Sequence, residues 1–432
     1  MSKFSWGMGA CALFVLWAAT AIALPAQIAT VAPAVTFTTL HTFDDTDGAD
    51  PGTTLVQGIN GNLYGTTYGG GTTNDGTLFQ ITPQGALTTL HSFDSSDGVG
   101  PIGLTLATNG LLYGTTNFGG ANGGGTVFSF NPSTNTLKTI YSFCTPSNCS
   151  LGSYPVAGVI QGADGNFYGT TQEGGNTACN PPSGCGTVFK INAAGTFNLL
   201  HTFGGADGAA PYAGLLQGAN GKFYGTTAFG GNLSCNPPLG CGTVFEMAGT
   251  SPYALTTLHV FAGTDGAVPY AGVVQDAQGN FYGTTVYGGN LNCGTPNGCG
   301  TVFKMAGTTL TTLHSFDGTD GAYPEGGLLQ ATDGNFYGTT SGTPEAPNPC
   351  GTTGIGFGAA FAISTSGTLT PLHRFSNTDG AYPYAQLAQA TNGILYGSTV
   401  CGGANGDGTV FSLSVGLGTF VETEPTFKGS RE

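Results

Sequence analysis

The chain has 432 residues, of which 77 are glycine, 28 phenylalanine and 17 tyrosine, and only 7% are charged. Aromatic content this high beside charge this low excludes a disordered chain, and glycine without a G-X-Y period excludes collagen. The formal net charge is −15 with eight lysines and arginines in all, so no basic stripe exists for a phosphate backbone and nucleic acid is excluded as a partner.

Residues 1–26 read MSKFSWGMGACALFVLWAATAIALPA. Lys3 supplies a basic start, an apolar run follows, and small residues close it. The run is shorter than the ~20 residues of a spanning helix, which predicts a cleaved secretory signal peptide, a linker over 27–34, and no membrane span after cleavage. Cys11 precedes the apolar run, the wrong order for a bacterial lipoprotein. The ten remaining cysteines agree with export. Cys144 and Cys149 are five apart, and Cys179–Cys185, Cys235–Cys241 and Cys293–Cys299 are each six apart at matching places. Local pairs of this kind predict disulfides, and the loops lack the CxxC spacing and histidines of a zinc site. Cys350 with Cys401 completes the set, by elimination and by the placement of their loops.

Three words then recur seven times each. LHTF ends at Phe43 and returns as LHSF, IYSF, LHTF, LHVF, LHSF and LHRF. NLYGTT and its variants place a tyrosine at 64, 113, 168, 224, 282, 337 and 396, and GTLF, GTVF or GAAF follows each. Each unit reads as four short strands: an apolar stretch such as AGLLQGA, an NG or DG turn into NFYGTT, a glycine-rich loop into GTVFKI, and a short turn into FNLLHTF. Glycine and threonine interrupt every candidate helix. Seven such units predict an all-β, seven-bladed β-propeller over residues 35–414, with 415–432 as a tail. The first word met is a fourth strand with nothing before it, and the last unit stops after its third strand. The amino-terminal strand is therefore expected to complete the last blade and close the ring. An open solenoid would not need this phase shift.

The phrase DGNFYGTT…GTVFKI…LTTLHSF, carried through all seven units, resembles the bacterial GloVer tandem repeat of proteins labelled choice-of-anchor. That resemblance covers roughly residues 35–414 and implies a secreted or surface protein of unknown molecular function. Members often carry a C-terminal anchor or sorting segment, which VGLGTFVETEPTFKGSRE at 415–432 does not resemble. Its FVETEPTF looks like the start of an Ig-like module.

Chemistry that is not scaffold must break the repeat. His41, His91, His201, His259, His314 and His373 all occupy one repeat position, which Tyr141 takes in the remaining unit. On separate blades they cannot share a metal, and packing or hydrogen bonding between blades is expected. Asp47, Asp97, Asp207, Asp265, Asp320 and Asp379 precede glycine in a DG turn that favours an Asx arrangement. DDTDGAD at 44–50 is the richest acidic loop, and Asp44, Asp45, Asp47 and Asp50 are candidate Ca²⁺ ligands there, although a terminal glutamate is missing. No other cofactor is indicated. The second-to-third loops vary most and should open on the same face as the blade-to-blade connections. On that face the candidate binding residues are Glu173, Phe229, Tyr287, Glu325 and Asp407, with rim aromatics Phe118, Tyr212, Tyr270 and Tyr384 able to stack on sugar rings. No nucleophile elbow, P-loop, dinucleotide fingerprint or HExxH motif is present. The expected protein is an exported, monomeric, non-catalytic module binding a glycan or an envelope or extracellular protein. It would act outside the cell, in the periplasm or at the surface. A secreted carbohydrate-active hydrolase or lyase using rim carboxylates, and a purely structural surface protein, remain the alternatives.

Overall fold

A computed structural model describes residues 35–144, 149–342 and 356–420. The expected signal peptide and linker, Cys350 and the end of the tail lie outside the described residues.

Seven four-stranded antiparallel sheets form a ring. Blade one comprises Val56–Gln57, Leu63–Thr67, Thr77–Ile81 and Leu87–Ser92. Blades two to six run from Val99–Leu106 to Thr136–Ser142, Ile160–Gln161 to Phe197–Thr202, Leu216–Gln217 to Leu255–Val260, Val274–Gln275 to Thr309–Ser315, and Leu329–Gln330 to Leu369–Arg374. Blade seven takes Ala388–Gln389, Leu395–Thr399 and Thr409–Ser414, and its fourth strand is Thr36–Thr42 from the opposite end of the sequence. Thr36 faces Ser414 and Thr42 faces Thr409, so the ring closes as the phase shift predicts.

The middle strands of each blade are buried on both faces, whereas the fourth strands are partly exposed. This follows from stacking: both faces of a blade meet a neighbour, so aromatic, aliphatic and β-branched residues predominate in strands two and three. The core is accordingly a series of inter-blade clusters. One joins Phe43, Leu55, Leu63 and Phe79 to Tyr396 and Val410, across the junction of the first and last blades. Each such buried phenylalanine contributes roughly 1.5–3 kcal/mol.

The repeated YGTT resolves into four separate tasks. The tyrosine hydroxyl bonds the turn residue before it: Asn60 to Tyr64 at 2.9 Å, Tyr168 to Asp164 at 2.9 Å, Asn392 to Tyr396 at 2.8 Å. The glycine admits a ring, since a Cβ on Gly65 would stand 2.5 Å from Phe79 Cζ. The first threonine reaches the next blade: Thr170 donates to the carbonyl of Ala213, Thr226 to that of Ala271, each at 2.9 Å. The second pairs with the threonine of GTVF, as Thr67 does with Thr77 at 2.9 Å. Glutamines of the inner strands add a second tie. The Gln57 side chain accepts from the backbone N–H of Thr391 at 2.9 Å and so bonds blade one to blade seven.

Two local expectations need correction. The inner strands are two residues long in six blades; only blade two pairs along the full Val99–Leu106. The preceding glycine-rich segment spends its backbone on inter-blade contacts instead of a ladder. The NG turn is not a two-residue hairpin either. Gly61 N–H bonds Gly58 and Gly58 N–H bonds Asn62, with Gly61 at φ 79°, which is a tight turn followed by a glycine bulge.

The histidines hydrogen-bond the connection after their own strand, and His373 also packs between blades, its ring stacked on Phe37 of blade seven at 3.7 Å. His91 Nε2 lies 2.7 Å from Asp97 Oδ2, and the other five pairs lie at 2.6–3.0 Å. The second aspartate oxygen accepts a backbone N–H, as Asp97 Oδ1 does from Asp94 at 3.0 Å. Asp207 and Asp265 stay below the usual carboxylate range: burial works to raise them, and the histidine and backbone hydrogen bonds outweigh it.

Candidate functional site

A cavity of about 490 Å³ occupies the central channel. Its mouth is built by one repeat position, the residue after the proline in DGAxPx. Around the ring this position reads Gly52, Ile102, Val156, Tyr212, Tyr270, Glu325 and Tyr384, and all seven line the cavity. Three consecutive blades offer small or aliphatic groups; the next four offer three tyrosines and an acid.

The local backbone explains how these side chains are presented. The residue before each proline is left-handed in every blade: Asp50, Gly100, Tyr154, Ala210, Val268, Tyr323 and Tyr382 have φ between 50° and 62°. For the non-glycine residues this costs about 1–2 kcal/mol each, and hydrogen bonds from both sides hold it. Ala210 N–H donates to the carbonyl of Cys185, Val268 N–H to Cys241 and Tyr323 N–H to Cys299, each at 2.9 Å. Those cysteines close the disulfides Cys179–Cys185, Cys235–Cys241 and Cys293–Cys299. Each stapled loop therefore braces the mouth residue of the following blade, namely Tyr212, Tyr270 and Glu325. Isolated bridges such as Ala209 with Phe229 and Ala267 with Tyr287 tie the same connections to the start of the second-to-third loops. The mouth thus opens on the loop-rich face.

Within the arc, Tyr212 and Tyr270 stack with centroids 4.6 Å apart and planes at 29°. Gln172 Nε2 donates to the Tyr212 hydroxyl at 2.7 Å. Tyr287 packs edge-on to Tyr323 at 5.6 Å. Burial raises the tyrosine hydroxyls of Tyr212, Tyr270, Tyr287 and Tyr384, and the Glu325 charge raises the last three further. They therefore stay neutral across the physiological range. Glu325 keeps some surface open to the channel yet sits deep among protein atoms, and this burial pushes its carboxyl up to about 7. The Ser341 hydroxyl donates to its Oε1 at 3.0 Å and offsets part of that rise.

Four of the five residues singled out in the sequence gather on this side of the ring. Glu325 is in the mouth itself and Tyr287 is beside it. Phe229 meets the Tyr212 ring edge-on at 6.4 Å. Glu173 is half-buried near Tyr212, raised by burial and partly restored by a hydrogen bond from Ser183. Asp407 lies elsewhere: its carbonyl accepts from Asp50 N–H at 3.1 Å, at the junction of blades seven and one. Burial and then the charges of Asp45, Asp44 and Asp47 raise its carboxyl. Of the candidate Ca²⁺ ligands, Asp44 is occupied by Thr46 and Asp47 by His41. Among the described residues no group of three or more His, Cys, Asp or Glu is placed to hold a metal ion. Cys144–Cys149 is also formed, and Cys401 is disulfide-bonded, while its expected partner Cys350 lies outside the described residues.

The sequence reading did not find Gln172, Ser341 or Gln386, the last of which also lines the cavity. The signal was present: Gln172 and Ser341 share one variable position after YGTT, and Gln386 stands where most units carry glycine. Blade six departs again at Ala359, which replaces the threonine of GTVF. Among the described residues its partner Thr340 is left with a buried hydroxyl that has no hydrogen bond.

Among solved structures, two proteins described as extracellular domains of hybrid two-component systems of B. thetaiotaomicron share the fold. One has a TM-score of 0.56 at 11% identity, over 87% of this chain and 42% of that one. The other has 0.53 at 10%, over 90% and 44%. This chain thus spans less than half the length of either. The periplasmic gluconolactonase PpgL of Pseudomonas aeruginosa aligns with a TM-score of 0.51 at 16% identity, over 83% of this chain and 96% of that one. At such identities the likeness is one of fold alone. No curated protein matches the sequence. The Gloeobacter/Verrucomicrobia repeat matches residues 27–180, 145–346 and 240–432. With those matches running the length of the ring, the chain belongs to the Gloeobacter/Verrucomicrobia repeat family.

Proposed function

We propose that this chain is a non-catalytic glycan-binding module whose ligand sits in the channel mouth on the loop-rich face. The observation that carries the reading is the one-sided arc of Tyr212, Tyr270 and Tyr384 around an open cavity. Aromatic rings presented at a mouth give flat, amphipathic stacking surfaces with polar tips, which suits sugar rings. Bracing of the arc by three disulfide-closed loops supports the same reading, because a pre-ordered surface costs less to bind. Four disulfides among the described residues fit an oxidising, extracellular or periplasmic location, and no described helix is long and apolar enough to cross a membrane. A glycan array probed with the purified chain, followed by calorimetry on Tyr270→Ala and Tyr384→Ala, tests the proposal. Binding should weaken at least tenfold in each variant. A silent array would favour a protein partner or a structural role.

One observation favours the hydrolase or lyase reading. Glu325 holds its proton up to about pH 7, as a general acid must. Glycoside cleavage ordinarily needs a second carboxyl facing the first, and Glu325 is the lone acid of the mouth ring. Product release from the array hits, abolished by Glu325→Gln, would replace the binding reading with the enzymatic one.

A further inference from the structure

The mouth ring contains an acid and no base. Five lysines and arginines fall within the described residues, and none lines the cavity. Lys190 pairs with Asp164 at 2.8 Å, Lys222 pairs with Glu246 at 2.6 Å, and Lys304 stands over the Tyr282 ring. Arg374 donates to the carbonyl of Thr319, and Lys138 lies exposed on an outer strand. The six histidines are bonded to their own aspartates. Among the described residues the Glu325 carboxyl therefore has one hydroxyl donor and no counter-cation.

Its other neighbours are aromatic. Tyr270, Tyr287 and Tyr384 are near enough to feel its charge, and they are the titratable groups that face it. Neutral rings around a carboxyl make a poor home for the anion alone, because burial without a partner is costly. The same arrangement suits a cation from outside. An ammonium would form a charge-assisted hydrogen bond to the carboxylate and meet the electron-rich ring faces. A neutral sugar could use the rings but would leave the acid unpaired. The cavity volume lies within the ~300–1,000 Å³ of small-ligand sites.

Resting on the glycan-binding reading above, we infer that the mouth selects a glycan bearing a free amine, a de-N-acetylated hexosamine. Its ammonium sits on Glu325 and its sugar faces rest on the Tyr270–Tyr384 arc. Binding then ionises Glu325. Below about pH 7, where the free site holds its proton, the amine-bearing ligand expels that proton to solvent. The facing tyrosines stay neutral, so this exchange belongs to Glu325.

Calorimetry with the glucosamine trisaccharide and its N-acetylated counterpart tests the inference, using the disulfide-bonded chain and its Glu325→Gln variant. The wild type should prefer the amine-bearing trisaccharide by at least tenfold at pH 7.5. At pH 6 its binding heat should change with the ionisation enthalpy of the buffer, reporting proton release. In Glu325→Gln the two affinities should converge and the buffer dependence should vanish, with the thermal melt confirming a folded protein. General attraction of a cation to a chain of net charge −15 would survive that substitution. Equal affinity of the wild type for both trisaccharides, or a preference that persists in the variant, overturns the amine inference and leaves glycan binding standing. Failure of both trisaccharides together with a silent glycan array overturns the two readings at once.

Discussion

Glu325 releases its proton near pH 7 in the folded chain and near its ordinary 4.5 when unfolded. Between those values the folded state holds a proton that the unfolded state has lost. Stability must therefore fall as pH rises through this window. A shift of this size corresponds to a loss on the order of 3 kcal/mol once the group is charged in both states. Glu325→Gln keeps the shape and one hydrogen-bond acceptor for Ser341 but cannot ionise. It should match the wild type near pH 4, below the unfolded value, and be the more stable protein at pH 8. Urea unfolding of both at the two pH values decides the matter. Parallel stability differences across the range would mean that the carboxyl is better solvated than its surroundings indicate. Asp207 and Asp265 act in the opposite sense: burial works to raise them, but histidine and backbone hydrogen bonds hold them below the usual range, so the stability they add is present above the ordinary carboxylate value and is lost as pH falls below it.

Within each blade, the second threonine of YGTT and the threonine of GTVF form a buried pair whose hydroxyls lie 2.7–2.9 Å apart in six blades. Blade six lacks the pair because Ala359 faces Thr340 in the same register. The orphaned Thr340 hydroxyl has given up water and received nothing in return. Ala359→Thr restores the sibling arrangement in a position where the other blades show that the methyl and hydroxyl fit. It should stabilise the chain by about 1 kcal/mol, read as a higher urea midpoint at unchanged slope. Destabilisation would show that blade six has closed around the smaller alanine. The departure sits in the blade that also carries Glu325 and Ser341, the acid of the mouth and its hydroxyl donor.

At the scale of the whole molecule, the fold was legible because three words, each repeated seven times, fix local tasks, and because their phase at the two ends requires closure. Tyr64, Gly65 and Thr67 do in blade one what their counterparts do elsewhere, while Thr66 departs by meeting Thr53 of its own blade at 3.1 Å; the shared tasks are what made the scaffold legible. The site was legible only in pieces. Glu325 stood out by breaking the pattern, but Tyr212, Tyr270, Tyr287 and Tyr384 looked like rim aromatics far apart in sequence. Ring closure is what sets the position after each proline side by side, and no local signal reports that distance. Asp407 also breaks the repeat, in the loop of blade seven at its junction with blade one, where its carbonyl accepts from Asp50 N–H. The ring itself depends on Thr36–Thr42, which pairs along Thr409–Ser414 and stacks Phe37 on His373 at 3.7 Å. Phe43, just beyond it, is fully buried between the first and last blades. A chain beginning at Asp44 would lose that phenylalanine, worth about 3–5 kcal/mol in a core, and would expose Thr409–Ser414 as an unpaired edge. It should melt well below the parent chain and self-associate, as seen by light scattering. Moving residues 36–43 to follow Ser414, joined by the Asn192–Thr196 turn that connects the same strands in blade three, supplies the missing strand from the other end. That permuted chain should melt within a few degrees of the parent and stay monomeric. If the chain starting at Asp44 melts like the parent, the strand is an accessory and not the clasp of the ring.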